Sequence, residues 1–273
     1  MAFSLDGREL YCACDAAMEV FDVARPGHTG QRIRTSPNRA SKQGQKGLLS
    51  SLAFAPDHSG LLAAGSFVGT VGLYDTAAEG CPLVELLRSE GQINGVTKVQ
   101  FHSTGHLLYV ASRLSGAVEV WDLRNLGKKA GRLERKGRTN QRLGFDVDAS
   151  GEWLVAGDQD GVLSCFAAKY DGDNAAPLAH FRVAEGKLQY EQQTPSAHKL
   201  ITARVFADAV GTACFVPYQH GQILVCCGSR HLQDSLDLNS SDDEVGGVEG
   251  SHGRAVRRPP GPATPSLQLL QFV

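Results

Sequence analysis

Apolar residues alternate with polar or small residues in short runs along the chain, and three of these runs end in an aromatic residue followed by aspartate. The three pairs are Phe21-Asp22, Tyr74-Asp75 and Trp121-Asp122. A phenylalanine that closes another apolar run lies about twenty residues before each pair; these residues are Phe3, Phe54 and Phe101. A fourth copy runs from Phe145 to Phe166 and lacks the aspartate. The phenylalanines are separated by 51, 47 and 44 residues, so the chain contains an internal repeat.

Each copy has the pattern of several short antiparallel strands. Its second run is small and apolar, as in 61–65 and 107–111, and its third run alternates, as in 70–74. Glycine and aspartate turns bound these runs, which is typical of short strands. A repeat of this length cannot bury its apolar face alone, so the copies must stack. The pattern therefore predicts an all-β fold, a WD40-type β-propeller.

The number of copies predicts about five blades, the first of them truncated. Only two residues precede Phe3, so we expect an incomplete propeller, as in a fragment, a short isoform or a truncated gene model. A fifth copy begins near 214–228, and its third strand is expected beyond a long insertion. The insertion is acidic and proline-rich and is predicted to be disordered. The predicted layout is propeller blades over 1–231, the insertion at 232–265 and a final propeller strand at 266–273.

Charge is sorted along the chain, although the formal net charge is only −2. Residues 25–46 carry six basic side chains and no acid, and residues 124–142 carry eight basic side chains against Glu134 alone. Each segment enters a new copy of the repeat. We therefore expect both to be links from the outer strand of one blade to the inner strand of the next. Such links emerge on one face of a propeller, which predicts a positive sector there.

Several enzyme and membrane classes are disfavoured by the sequence. There is no run of about 18 apolar residues, so no membrane span is predicted. Ser66 has the wrong offset for a nucleophile elbow, and the glycine-rich stretch 44–47 lacks the ending of a phosphate loop. Histidine and cysteine do not cluster at catalytic or metal-ligand spacing. We expect no enzyme activity, no metal, no cofactor and no small-molecule substrate.

Four segments outside the generic repeat are more distinctive. They are Ala24-Arg25-Pro26-Gly27, Lys42-Gln43-Gly44-Gln45-Lys46-Gly47, Gly95-Val96-Thr97 and Thr139-Asn140-Gln141-Arg142. Together with the run 48–56, these segments resemble the telomerase Cajal body protein family. The resemblance covers roughly residues 1–228 and the last strand, about the C-terminal half of that family's propeller.

The resemblance implies a non-enzymatic scaffold that recognises small Cajal-body RNAs and telomerase RNA and directs their particles to Cajal bodies, in support of telomere maintenance. It implies partners among the proteins of the telomerase ribonucleoprotein and no membrane partner. It also implies residence in the nucleus and its Cajal bodies, with some protein in the cytoplasm. Two other functions stay open: a WD40 scaffold that joins proteins without binding RNA, and a truncated, non-functional isoform.

The basic segments supply the predicted contacts with RNA. Lysine and arginine would position the backbone, while glutamine and asparagine would reach exposed base edges. The predicted RNA-binding residues are Arg25, Lys42, Gln43, Gln45, Lys46, Asn140, Gln141 and Arg142. Each has a structural alternative. Basic loops are often only solvated, Asn140 and Gln141 could satisfy turn backbone groups, and Arg142 could pair with Asp146 or Asp148.

A second set of residues is expected to build the repeat. The set comprises Phe54, Asp75, Phe101, His102, Trp121, Asp122 and Phe145. The aromatic residues close strands, His102 anchors the turn after Phe101, and the aspartates close turns at strand ends.

Overall fold

The computed structural model describes residues 1–38, 40–88, 94–125, 129–168, 179–184, 187–192, 209–216, 222–227 and 266–271. In these residues, twenty β-strands, numbered in chain order, form five antiparallel sheets, which we call blades 1 to 5. Within the same residues, we find no helix with the length and apolar character needed to cross a membrane. The predicted insertion at 232–265 and most of the segment 170–210 lie outside the described residues.

The strand bounds follow the predicted repeat. Blade 1 contains β1 (Ala2–Phe3), β2 (Glu9–Cys14), β3 (Ala17–Asp22) and β4 (Gln31–Arg34). Blade 2 contains β5 (Leu49–Phe54), β6 (Leu61–Ser66), β7 (Thr70–Asp75) and β8 (Leu83–Arg88). Blade 3 contains β9 (Val96–Phe101), β10 (Leu107–Ser112), β11 (Ala117–Asp122) and β12 (Lys129–Glu134). Blade 4 contains β13 (Phe145–Val147), β14 (Trp153–Gly157), β15 (Val162–Ala167), β16 (Ala179–Ala184) and β17 (Lys187–Gln192). Blade 5 contains β18 (Val210–Phe215), β19 (Gln222–Cys227) and β20 (Ser266–Gln271).

Strands pair in chain order within every blade, and the blades contact one another in chain order as well. Strand β2 contacts β5, β5 contacts β9, β9 contacts β13, and β13 contacts β18. The first strands of blades 2 to 5 therefore lie innermost, around a common axis. This arrangement confirms the predicted all-β, WD40-type propeller of about five blades, in which the first strand of blade 1 has only two residues. Blade 4 adds a fifth strand, β17, outside β16.

The apolar core lies between neighbouring blades. From blade 2, Leu62 and Tyr74 pack towards blade 1, whereas Ala63 and Leu73 pack towards blade 3. Successive side chains of a strand point to opposite faces, so the middle strands of a blade must be apolar on both faces. This requirement explains the small, apolar second run of each copy.

The strand register corrects the alignment of the fourth copy. Phe54 pairs with Leu62 and Phe101 with Leu108, but Phe145 pairs with Ala156, two residues further along the second strand. The position equivalent to Phe54 and Phe101 is therefore Val147, which pairs with Leu154. The expectation that Phe145 closes the inner strand is wrong, because β13 begins at Phe145. The ring was misleading because it fills the core between blades 3 and 4 from a different position.

The other repeat residues hold strands and turns together. Phe101 and Trp121 lie in the core between blades 2 and 3. The half-buried ring of Phe54 meets Tyr11 edge-on, with ring centres 5.1 Å apart. A carboxylate oxygen of Asp75 accepts a hydrogen bond from the N–H of Ala77 at 2.9 Å. Asp122 accepts one from the N–H of Arg124 at the same distance, so each aspartate closes the turn after its strand.

His102 connects the turns of two blades. Its Nε2 lies 2.8 Å from the carbonyl oxygen of Gly151 in blade 4. A carbonyl can only accept, so Nε2 carries the proton. The Nδ1 atom then accepts hydrogen bonds from the N–H and the hydroxyl of Thr104.

We expect Leu62→Ala to lower the free energy of unfolding by about 2–5 kcal/mol, because it opens a cavity between blades 1 and 2. Leu62 is fully buried, whereas Val84 in β8 is 53% exposed. The control Val84→Ala should change the free energy by less than about 0.5 kcal/mol. Chemical denaturation of both variants checks this prediction, and equal losses would contradict the inter-blade core.

Candidate functional site

The alternating strand direction places the loops of the blades on two opposite faces. Links between blades and loops between second and third strands share one face, which we call the link face. Turns between first and second strands and between third and fourth strands share the other, which we call the turn face. The N–H of Ala16 donates to the carbonyl of Gly47 on the link face at 3.0 Å, and that of Val23 donates to Arg8 on the turn face at 2.8 Å. Neighbouring loops of each face are therefore bonded to each other.

The two basic segments are not links throughout, contrary to expectation. Segment 25–46 contains β4, and segment 124–142 contains β12. Short, basic outer strands had the composition of loops, so the sequence pattern hid them. Arg25 and Arg124 precede these strands and lie on the turn face, where Arg25 Nε is 3.4 Å from Asp22 Oδ2. Arg39 and Lys128 lie outside the described residues.

Charge separates between the two faces. In the described loops of the link face and at the strand ends beside them, the cationic residues are Arg34, Lys42, Lys46, Arg88, Arg113, Arg135, Lys136, Arg138 and Arg142, against Asp15, Glu134, Asp158 and Asp160. In the described turns of the turn face and at the strand ends beside them, the acidic residues are Asp6, Glu9, Asp22, Asp57, Asp75, Glu79, Asp122, Asp148 and Glu152, against Arg8, Arg25, Arg124 and Lys129. The link face is therefore positive and the turn face negative.

Gln45 lies inside blade 2 instead of on the surface. Its side chain is fully buried, and Nε2 donates to the carbonyl of Ala64 at 2.7 Å and to that of Thr70 at 3.2 Å. The hydroxyl of Tyr74 donates to Gln45 Oε1 at 2.9 Å. This amide cannot reach an exposed base, so we leave Gln45 out of the candidate surface.

Arg135, directly after β12, is a buried polar residue in the link to blade 4. Its guanidinium donates to the carbonyls of Leu143, Gly144 and Gly157, each at 3.1 Å. Burial lowers the pKa of Arg135 to about 10, against the opposing effect of Asp158. Each of these two links thus contains a buried polar side chain that hydrogen-bonds to the following blade.

Arg142 reaches from the link of blade 4 to the inner strands of two other blades. Its Nη2 donates to the carbonyl of Thr97 in β9 at 2.7 Å and to that of Ser50 in β5 at 3.3 Å. Both carbonyls lie near the link-face ends of their strands, and Arg142 itself is exposed. Neither alternative pairing, with Asp146 or with Asp148, is among the ion pairs of the described residues. Asp146 Oδ1 lies 3.7 Å from Lys98 Nζ instead.

The remaining candidates lie on the link face. Lys42, Gln43 and Asn140 are exposed, and Lys46 and Gln141 are half-buried. The backbone N–H of Gln141 donates to the hydroxyl oxygen of Thr139 at 3.2 Å, which leaves its side-chain amide out of that turn. The structure therefore gathers Lys42, Gln43, Lys46, Asn140, Gln141 and Arg142 on one face and excludes Arg25 and Gln45.

The sequence pattern did not predict that apolar and aromatic residues also lie on the link face. Leu48, Val68 and Leu114 are 46%, 45% and 42% exposed there. The guanidinium of Arg113 stacks over the ring of Phe67 at 4.8 Å. Val68 and Leu114 are large apolar residues at equivalent positions of two inter-strand turns. Turns usually carry polar residues, so this pattern could have predicted exposed apolar residues on this face.

We expect Gly72→Ala to lower the free energy of unfolding by about 1–3 kcal/mol through overpacking. A Cβ atom at Gly72 would lie 2.6 Å from Gln45 Oε1 and 2.7 Å from the Tyr74 ring, so it would push the buried amide out of place. Gly116→Ala is the matched control, since its Cβ would lie 3.5 Å from the nearest atom. Denaturant unfolding measures both variants, and a neutral Gly72→Ala would show that the Gln45 contacts are dispensable.

Comparison with known proteins identifies relatives of the chain, although no protein-family model matches it. The chain is 37% identical over 214 residues to Telomerase Cajal body protein 1 of Mus musculus, covering 76% of this chain and 39% of that protein. It is 36% identical over 177 residues to the Homo sapiens protein of the same name, covering 65% of this chain and 31% of that protein. It is also 38% identical over 119 residues to Guanine nucleotide-binding protein negative regulator 1 of Schizosaccharomyces pombe, covering 43% of this chain and 29% of that protein.

The chain thus spans well under half the length of these relatives. Its similarity to the mouse protein extends over about three quarters of its own length, and its structure is an all-β propeller. The chain belongs to the telomerase Cajal body protein family.

Proposed function

We propose that this chain is a non-enzymatic scaffold whose link face binds RNA. The observation that carries the proposal is the separation of charge between the faces, with cations on the link face and carboxylates on the turn face. A polyanion is attracted to one side of the disc and repelled by the other. Phosphate contacts supply most of the affinity of such a surface.

Three kinds of contact are available on the link face. Lys42 and Arg142 present exposed cations to the RNA backbone. The amides of Gln43, Asn140 and Gln141 offer donors and acceptors to base edges. Unpaired bases also stack on flat aromatic or guanidinium groups, and the stacked pair of Phe67 and Arg113 offers both.

We propose that the bound RNAs are small Cajal-body RNAs and telomerase RNA, and that the chain directs their particles to Cajal bodies. The names of the mammalian relatives, Telomerase Cajal body protein 1, support this choice and describe no enzyme. Binding and delivery need no turnover. The proposal includes proteins of the telomerase ribonucleoprotein as partners and the nucleus as the site of action.

A second candidate is a scaffold that joins proteins without binding RNA. The fission-yeast relative favours it, because that protein is named as a negative regulator of a guanine nucleotide-binding protein. On this alternative, the positive link face would receive an acidic peptide.

We expect Lys42→Glu and Arg142→Glu each to weaken RNA binding and to lower the slope of log Kd against log salt by about one. The matched control is Arg25→Glu, the same charge reversal on the turn face. Fluorescence anisotropy with a labelled small Cajal-body RNA at several salt concentrations gives the Kd and the slope. Arg142→Glu also removes two hydrogen bonds to strand carbonyls, so thermal unfolding is measured alongside.

Recovery of RNA and proteins from cells then separates the two candidates. Loss of small Cajal-body RNAs with the link-face variants, but not with Arg25→Glu, supports RNA binding. If RNA recovery is unchanged while protein partners disappear, the RNA proposal fails and the protein scaffold stands.

A further inference from the structure

The loops between second and third strands meet at their tips in blades 2 and 3. Phe67 is the first loop residue after β6, and Arg113 is the first loop residue after β10. The guanidinium of Arg113 lies over the ring of Phe67, 4.8 Å from the ring centre, where the ring attracts a cation. Both residues are half-buried, so part of this stack stays accessible. The two tips therefore share one flat, cationic group.

One residue of the link to blade 3, Gly95, contacts both members of the stack. The backbone N–H of Arg113 donates to the carbonyl of Gly95 at 2.9 Å. A Cβ atom at Gly95 would lie 2.9 Å from the carbonyl oxygen of Phe67 and 3.1 Å from its ring atom Cδ1, so a larger residue would push the link away. The link thus holds the two tips together in the absence of any ligand.

The second residue of each tip is apolar and exposed. Val68 is 45% exposed and Leu114 is 42% exposed. Blades 1 and 4 differ, because their corresponding loops begin with Asp15 and Asp158. Among the described loops of this kind, a stacked pair with apolar neighbours thus occurs in blades 2 and 3. We call this group the loop-tip platform; it consists of Phe67, Val68, Arg113 and Leu114.

Planar and apolar groups on a cationic face restrict the class of ligand. The cations of the link face attract a polyanion, and the apolar parts of RNA are the faces of its bases. A base that covers Val68 and Leu114 removes apolar surface from water, and bases stack on guanidinium planes as well as on aromatic rings. In a duplex, the faces of the bases are stacked inside the helix. The loop-tip platform therefore matches an unpaired base.

We propose that the loop-tip platform binds one unpaired base of the RNA, stacked on the guanidinium of Arg113 and flanked by Val68 and Leu114. The inference rests on the proposed RNA binding and restricts it to RNA that is single-stranded, looped or bulged at this point. The other cations of the link face supply affinity that depends on salt, whereas the platform supplies affinity that depends on the base. Arg113 then distinguishes unpaired from paired RNA.

Two RNA strands with the same number of phosphates test this division. One is a single-stranded oligoadenylate, and the other is an abasic strand of the same length. The wild-type chain should prefer the oligoadenylate on the order of tenfold, the size of one stacked base. Arg113→Lys keeps the charge but removes the plane, so it should lose this preference without changing the slope of log Kd against log salt. Arg25→Lys, the same substitution on the turn face, should change neither quantity.

Leu114→Ser is a second variant, and it changes an exposed side chain at a loop tip. It should also reduce the preference for the oligoadenylate, and neither variant should change the binding of a blunt-ended RNA duplex. Fluorescence anisotropy measures each Kd, and thermal unfolding checks that each variant keeps its fold. A full preference in both Arg113→Lys and Leu114→Ser would overturn the proposal.

A mononucleotide tests the loop-tip platform without a strand. The Nε atom of Arg113 is buried and has no hydrogen-bond partner among the described residues, so its Nε–Hε NMR signal should respond mainly to the ring current of a stacked base. Adenosine 5′-monophosphate should shift this signal until it saturates. Ribose 5-phosphate, which has the phosphate but no base, should not. Comparison with Arg113→Lys assigns the signal, and equal shifts from the two compounds would contradict a stacked base.

The outcomes separate the platform from RNA binding itself. If Lys42→Glu weakens RNA binding while Arg113→Lys and Leu114→Ser keep the full preference for the oligoadenylate, the platform is wrong and the proposed function stands. If the wild-type chain binds neither strand while adenosine 5′-monophosphate still shifts the Arg113 signal, the platform is a nucleotide site and the RNA proposal fails.

Discussion

A buried polar side chain anchors each of the two described basic links, and the path of each link beside the next blade depends on its hydrogen bonds. Gln45 donates to backbone carbonyls of blade 2, and Arg135 donates to the carbonyl of Gly157 in blade 4 and to two carbonyls of its own link. Burying an amide or a guanidinium without partners would cost several kcal/mol, so each link is favoured along the path on which these hydrogen bonds form. These hydrogen bonds therefore define the path of the link beside the next blade.

Two consequences follow for the rest of the link. The residues around each buried anchor are held in a defined place, although they contribute little to the core themselves. In the link to blade 2, Lys42 and Gln43 are exposed just before the buried Gln45. In the link to blade 4, Arg138 and Asn140 are exposed beyond the buried Arg135. Structural and recognition residues are therefore neighbours along the sequence, and substitutions in these segments combine losses of stability with losses of binding.

The repeat pattern predicted the propeller and most of its strands, because burial between two blades imposes apolar residues at fixed intervals. The same pattern could not distinguish Gln45 from Gln43, since a buried and an exposed glutamine have the same composition. It also hid β4 and β12, because an outer strand has a solvent-facing side and can be as basic as a loop. Phe145 shows a related limit: a large ring can fill one core from two registers, and only strand pairing decides between them.

The separation of charge between the faces gives the disc an electric dipole along its axis. A net charge near zero would suggest indifference to other charged molecules, yet a dipole turns a molecule in an external field even when no net force acts on it. Near a polyanion, the disc would rotate with its positive face forward before any contact forms. The orientation would be lost beyond a Debye length, about 8 Å at physiological ionic strength, so it would matter only in the last step of an encounter. Productive collisions would then depend more on how charge is divided between the two faces than on total charge.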